Sequence, residues 1–142
     1  MSSRGVTLVE LLLVLILLAI LTSIAVPRVI GVLDLASVRA EAASVVSALD
    51  AARGAALRLG TVTRLTLADS GYRVDSSVAG ESVTAWQAPG PSQRGVQLAG
   101  AGQSIRFAPS GIAMGAANRT LLLSKGAVSR RVVVSRLGRL TW

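Results

Sequence analysis

Three different patterns of apolar residues follow one another along this chain. Residues 11–21 are all apolar, and the apolar stretch continues with two hydroxyl side chains as far as Val26. Between residues 28 and 59, apolar residues recur at steps of three and four, which is the pattern of an amphipathic helix. From residue 61 the period changes to two, which is typical of β-strands. This order predicts an α+β fold, with one long N-terminal helix packed on a C-terminal antiparallel β-domain.

The N-terminal apolar segment is long enough to cross a membrane. Residues 6–26 reach about 31 Å as a helix, which matches the hydrocarbon core of a bilayer. A signal peptide cut near residues 23–25 is the alternative, but a polar mature start should follow it, and here more helix follows. Pro27 is expected to kink the helix or melt it locally, and Gly60 to end it. We therefore predict one membrane helix that continues into a helical stem.

One carboxylate, that of Glu10, interrupts the head of this apolar segment. An ionised side chain costs up to about 3 kcal/mol at the middle of a bilayer and less near its surface. One interpretation places Glu10 at the level of the headgroups, where the positive end of the helix dipole favours it. In the other, the chain is cut after Gly5, and Glu10 pairs with the new ammonium of Val6 on an adjacent subunit. Such a pair would set the axial register of bundled helices.

Short strands separated by turn residues follow the helix. The strands 62–67 and 72–74 are expected to form a hairpin, and a third strand is expected at residues 83–87. Residues 88–92 are interpreted as a surface loop, and the terminal Trp142 is expected to close the core of the domain. The remaining strands are predicted at residues 96–98, 105–107, 119–124, 128–135 and 140–142.

The composition argues against catalysis and against a metal site. The chain has 142 residues and contains no cysteine and no histidine, which removes the usual pairs of nucleophile and base. A zinc site would have to be built from carboxylates alone. Asp34, Glu41 and Asp50 are spaced along the helix and are interpreted as solvated surface acids. We therefore predict that the protein is not an enzyme and holds no cofactor or metal.

Positive charge is concentrated in the β-domain. Residues 1–81 carry seven basic and seven acidic side chains, whereas residues 82–142 carry eight basic and no acidic ones, so the net charge of +8 lies there. Such a surface can bind DNA in a salt-dependent way. Alternation along a strand would, however, put some of these charges on opposite faces, and few aromatic side chains are available for stacking. The candidate DNA-binding residues are Arg130, Arg131, Arg136 and Arg139.

A processing motif precedes the apolar run. The chain reads Gly5-Val6-Thr7-Leu8-Val9-Glu10, then the apolar run, then Pro27. This order resembles the class III signal of type IV pilins and type II secretion pseudopilins, although Phe is usual where this chain has Val6. The resemblance implies that a prepilin peptidase cuts between Gly5 and Val6 and methylates Val6, and that Glu10 serves subunit docking. It divides the chain into a leader (1–5), a transmembrane helix (6–27), an amphipathic stem (28–59) and a periplasmic β-domain (60–142).

The C-terminal part carries a second set of motifs. These are Phe107-Ala108-Pro109-Ser110-Gly111, the apolar strand 120–123, and the segment 130–139, which ends on a Gly-Arg turn. They resemble the GspH/FimT group of minor pseudopilins and minor pilins, which implies a type IV pilin-like helix with a β-sandwich head.

Two functions follow from this resemblance. The first is a minor pseudopilin of a type II secretion system, anchored in the bacterial inner membrane with its head in the periplasm. Its partners would be other pseudopilins or pilins, the prepilin peptidase and exported proteins. The alternative is a FimT-like minor pilin of a type IV pilus that binds DNA during uptake through a Gly-Arg-x-Arg element. This chain has Thr141 in place of the second Arg.

Overall fold

Within the described residues, one long helix is followed by nine short strands and one 3-10 helix. The computed structural model describes residues 7–78, 80–99, 102–115, 119–135 and 140–141, with the backbone alone at Val78 and Leu140. By its internal contacts the chain forms two compact units, Met1–Leu33 and Asp34–Trp142. The fold is α+β, as the sequence predicts.

Helix α1 runs from Leu8 to Leu59. Gly60 follows it with a positive φ of 61°, which glycine adopts without strain, and so ends the helix as expected. The helix continues through Pro27 without a break, so the predicted local melting is not seen. Proline removes a single N–H donor from the backbone hydrogen bonds of the helix. The remaining hydrogen bonds of this 52-residue helix keep it continuous.

The first unit exposes its large apolar side chains all around the helix. From Leu8 to Leu33 every large apolar residue is exposed, which is the opposite of what a soluble core helix shows. Thr22 and Ser23 interrupt this surface, and their hydroxyls donate hydrogen bonds to carbonyls of the preceding turn. The helix is long and apolar enough to cross a membrane.

The second unit contains two antiparallel sheets. The five-stranded sheet has the strand order β3-β2-β1-β5-β6, and the four-stranded sheet has the order β4-β7-β8-β9. The strands are β1 Thr63–Leu67, β2 Gly71–Val78, β3 Glu81–Pro89, β4 Gln97–Ala99, β5 Gln103–Phe107, β6 Ala113–Met114, β7 Arg119–Lys125, β8 Val128–Val134 and β9 Leu140–Thr141.

One core joins the helix to both sheets. Small and branched residues of the helix lie in it at steps of three and four, beginning at Val38 and ending at Ala56. Strands β1, β2 and β5 contribute from the five-stranded sheet, and β4, β7 and β8 from the four-stranded sheet. The hydroxyl of Thr63 also donates a buried hydrogen bond of 2.8 Å to the carbonyl of Ala52, which ties β1 to the helix. The amphipathic pattern of the stem is thus explained by burial against the β-domain.

Strand β3 lies at one end of the five-stranded sheet and pairs with β2 alone. Its register shifts once, because Val74 faces Trp86 whereas Asp75 faces Thr84. Ala85 is therefore an extra residue on β3, and the strand carries a β-bulge there. Trp86 is half-buried and packs against the core.

Three features differ from the sequence-based prediction. The short strand β6 and a 3-10 helix at Pro91–Arg94 were not predicted. The surface loop predicted at residues 88–92 is wrong in part, because Gly90 and Pro91 are buried. The backbone of this segment is held by the β1–β2 turn, where Gly90 and Ser92 donate their N–H groups to the carbonyls of Ser70 and Asp69. The predicted role of Trp142 in the core lies outside the described residues.

Candidate functional site

The head of helix α1 is capped by Thr7. The backbone N–H of Glu10 donates a hydrogen bond of 3.2 Å to the hydroxyl of Thr7, and the N–H of Leu11 donates one of 3.1 Å to its carbonyl. A threonine three residues before a glutamate is the pattern of a capping box, and the Thr7 hydroxyl satisfies one of the free N–H groups of the first turn. The cap fixes the residue at which the helix begins, and with it the position of Glu10 along the helix axis.

Glu10 lies in the first turn and is exposed. The side chains beside it on the same side of the helix are apolar, namely Leu11, Val14 and Leu15. Within the part of the chain that the structure describes, no cation pairs with its carboxylate. An exposed carboxylate on an apolar helix is suited to pairing with a cation from another molecule. The predicted processing residues Gly5 and Val6 lie outside the described residues.

A second carboxylate, that of Glu41, is fully buried, so its interpretation as a solvated surface acid is wrong. Its exposed fraction is 0%. The hydroxyl of Tyr72 donates to Glu41 Oε1 at 2.7 Å, and Arg94 Nη1 donates to Oε2 at the same distance. The Arg94 side chain is 44% exposed and reaches in from the surface. Helix, β2 and the 3-10 helix are thereby joined through one carboxylate.

Lys125 makes a second connection to the helix, about one to two turns before Glu41. Its Nζ donates to the Ser37 hydroxyl at 3.0 Å and to the Arg94 carbonyl at 2.8 Å, and it lies 3.7 Å from Asp34 Oδ1. The β7–β8 turn is therefore held against the helix. Asp34 is paired as well, so its interpretation as a solvated acid is also wrong, whereas Asp50 is exposed as predicted.

These contacts leave fewer unpaired basic side chains on the β-domain than the charge count indicates. Arg94 and Lys125 pair with acids of the helix and do not belong to a free positive face. Burial alternates along β8, where Val132 and Val134 point into the core. Arg130 is on the same side as these valines, and Arg131 is on the opposite side and exposed. Arg130 and Arg131 thus lie on opposite sides of the strand, as the alternation predicts, and do not form one positive patch. Arg136 and Arg139 lie outside the described residues.

The environment of Tyr72 makes its phenol resistant to ionisation. Burial raises the pKa of Tyr72 far above its usual value, and the hydrogen bond to Glu41 and the charge of Glu41 raise it further, against the opposing effect of Arg94. The neutral phenol is therefore the form that the fold requires.

We expect Tyr72 to remain un-ionised in the folded protein at pH values where free tyrosine titrates. The unfolded chain loses this proton at about pH 10 and the folded chain does not. The contribution of Tyr72 to stability is therefore complete below about pH 10, and above it the free energy of unfolding falls by up to about 1.4 kcal/mol per pH unit. Tyr72 is the only tyrosine, so the ultraviolet absorbance of phenolate reports on this residue alone. Phenolate appearing near pH 10 without unfolding would contradict the expectation, and Tyr72→Phe should remove this part of the alkaline slope.

The described residues contain no group of three carboxylates that could hold a metal ion. A concave region of about 700 Å³ lies on the five-stranded sheet and is lined in part by Thr66, Arg73 and Asp75.

Two functional features were missed from the sequence. The capping pair Thr7 and Glu10 has a recognisable signal, since Thr-x-x-Glu before an apolar run marks a helix start. The buried Glu41 also has a signal, because it precedes Ala42 and Val45 on the apolar side of the stem. The sequence carries no signal for its partner Arg94, because Arg94 comes from a segment interpreted as lying next to a surface loop.

Comparison with known proteins supports the same architecture. The family model described as type II transport protein GspH matches residues 41–138, and the prokaryotic N-terminal methylation motif matches residues 1–26. No curated protein and no solved structure matches the chain significantly. The first match spans the stem and the head, the second spans the apolar segment with Glu10, and the helix with its two antiparallel sheets agrees with a type IV pilin-like fold. The chain therefore belongs to the GspH family of pilin-like proteins that carry an N-terminal methylation motif.

Proposed function

We propose that this protein is a minor pseudopilin of a type II secretion system, a structural subunit that assembles into the periplasmic pseudopilus and is not an enzyme. In this proposal a prepilin peptidase cuts after Gly5 and methylates Val6. The apolar helix anchors the subunit in the inner membrane until it joins the fibre. The β-domain stays in the periplasm, where it meets other pseudopilins and exported proteins.

The observation that carries this proposal is the position of Glu10. Its carboxylate is exposed in the first turn, and the helix after it is apolar on every side as far as Leu21. An ionised group in such surroundings is costly in a bilayer unless it finds a partner, and residues of this kind are commonly functional. A free ammonium on Val6 of an adjacent subunit supplies the opposite charge at the same end of the helix. The pair would position one helix against the next along the fibre axis.

The alternative, a type IV minor pilin that binds DNA, has weaker support. Arg130 and Arg131 lie on opposite sides of β8, so they do not present one surface to a duplex. Arg94 and Lys125 are paired with acids of the helix. The other two DNA-binding candidates, Arg136 and Arg139, lie outside the described residues. We therefore favour assembly and secretion over DNA uptake.

We expect Glu10→Gln to lower incorporation into the fibre by about tenfold or more, because a neutral amide loses the charge pair but keeps the size of the side chain. The measurement is the fraction of the protein recovered in sheared or cross-linked fibres, with secretion of an exported protein as a second readout. Asp50→Asn is the matched control, since Asp50 is an exposed carboxylate on the same helix.

Mass spectrometry of the N-terminus separates docking from processing. Both variants should show the same cut before Val6 and the same methylation, so a defect of Glu10→Gln would belong to assembly. Normal incorporation of Glu10→Gln would refute the docking role. Loss of DNA uptake with intact secretion, in cells that lack the protein, would favour the pilus alternative.

A further inference from the structure

Three arginines lie on the outer face of the five-stranded sheet. Arg64 of β1, Arg73 of β2 and Arg106 of β5 are all exposed. Each alternates along its strand with side chains that point into the core. They therefore project on the same side of the sheet, away from helix α1 and its core. We call these three residues the arginine face.

The register brings two of these charges side by side. Arg64 and Arg106 are direct partners in the β1–β5 ladder. Like charges directly opposite each other destabilise an antiparallel pair. Arg64 also faces Asp75 across the β1–β2 ladder, yet they form no salt bridge, and Asp75 accepts a hydrogen bond of 2.9 Å from Thr84 instead. The two like charges lower the stability of the isolated sheet. Residues that lower the stability of a fold in this way are often part of a functional site.

The surface beside Arg64 and Arg106 is concave, and Arg73 lines a separate depression on the same sheet. A depression of about 400 Å³ is lined by Arg64 and Arg106 together with Asp75, Ser77 and Ser82. Within the described residues, none of the three guanidinium groups of the arginine face has a hydrogen bond or an ion pair to another side chain. Their donors are thus available to a carboxylate from outside, and guanidinium binds that group with two parallel hydrogen bonds.

We propose that the arginine face is a docking surface for an acidic segment of another protein. The proposal goes beyond assembly through the membrane helix, and it can hold or fail independently of the role of Glu10. A protein segment fits better than a nucleic acid for two reasons. Asp75 lies within the cluster and repels any anion beside it; a continuous row of phosphates cannot avoid it, whereas a protein segment can place a neutral residue opposite it. The strands that carry the three arginines point their aromatic side chains, Tyr72 and Phe107, into the core, so no base can stack there.

The test uses the full chain in a non-ionic detergent and a short fluorescent peptide of alternating Glu and Ser residues. Fluorescence anisotropy at low and at physiological salt gives the affinity. We expect Arg64→Gln or Arg106→Gln alone to weaken binding about three- to fivefold, the upper range for an exposed ion pair. The double variant should weaken it about tenfold or more.

The matched control is the double variant Arg39→Gln with Arg58→Gln. These two arginines are exposed on helix α1, so the control loses the same net charge at a different place. It should change the affinity less than twofold. Thermal stability provides a second readout, since removing the like-charge pair should leave the stability of Arg64→Gln unchanged or slightly raised.

Three outcomes would overturn the proposal. Equal weakening in both double variants would mean non-specific attraction by net charge. No weakening in either would mean that the arginine face does not bind the peptide. A duplex DNA that binds more tightly than the peptide, and loses affinity in the Arg64→Gln and Arg106→Gln double variant, would assign the face to nucleic acid.

Discussion

Glu41→Ala should lower the free energy of unfolding of the β-domain by about 3 kcal/mol, which is a large fraction of the stability of a small domain. The substitution leaves the buried hydroxyl of Tyr72 without its acceptor and Arg94 without its partner. Removing one member of a buried pair costs about 3 to 5 kcal/mol. We expect the lower end, because the Arg94 side chain is 44% exposed and can be hydrated.

Urea denaturation followed by tryptophan fluorescence measures this effect, because Trp86 packs against the core. Asp50→Ala is the matched control, as Asp50 is an exposed carboxylate about two and a half turns further along the helix, and we expect it to change stability by less than about 0.5 kcal/mol. Glu41→Gln should fall between the two, since an amide oxygen can still accept the bond from Tyr72. Equal midpoints for Glu41→Ala and the unchanged protein would show that the buried contacts contribute nothing net.

Gly90→Ala should destabilise the domain by about 3 kcal/mol for a different reason, namely lack of space. The backbone of Gly90 is extended, with φ −92° and ψ 176°, so an alanine could adopt its conformation. A Cβ at this position would, however, overlap the carbonyl oxygen of Asp69 and lie 2.5 Å from the nitrogen of Gly71. Both are backbone atoms of the β1–β2 turn, and they cannot move without breaking its hydrogen bonds.

The control for Gly90→Ala is the same chemical change made where there is room. Gly54 lies inside helix α1, and a Cβ there would meet only the flexible end of Arg58 at 3.1 Å. Gly54→Ala should therefore stabilise the domain by about 0.5 to 1 kcal/mol, the usual gain from replacing glycine in a helix. In urea denaturation we expect Gly90→Ala to lower the free energy of unfolding and Gly54→Ala to raise it. A Gly90→Ala protein as stable as the original would mean that the turn can move aside.

Much of this fold could be predicted from local pattern. The change of period near residue 61, the stop at Gly60 and the hairpin around residues 68–71 depend on neighbouring residues, and the structure confirms them. The buried state of Gly90 and Pro91 was not predictable, because it depends on a turn about twenty residues earlier in the chain.

The candidate site was predictable only in part. Glu10 could be singled out because a carboxylate in an apolar run is conspicuous; it is exposed in the first turn, and its role in docking stays a prediction. Glu41 looked like the other acids of the stem, since its burial is caused by Tyr72 and Arg94, which are 31 and 53 residues away. Charge counting likewise assigned Arg94 and Lys125 to a free surface, although both neutralise acids of the helix. Pairings between distant residues are set by the tertiary fold.

The bulge on strand β3 has a consequence for crowded subunits. An unpaired edge strand of nine residues is a template on which a neighbouring chain can add its own strand. The extra residue Ala85 interrupts that template in its middle, and Pro89 withholds one N–H at its end. Both features disfavour the addition of a neighbour's strand at this edge, and with it the growth of a continuous cross-β stack of head domains.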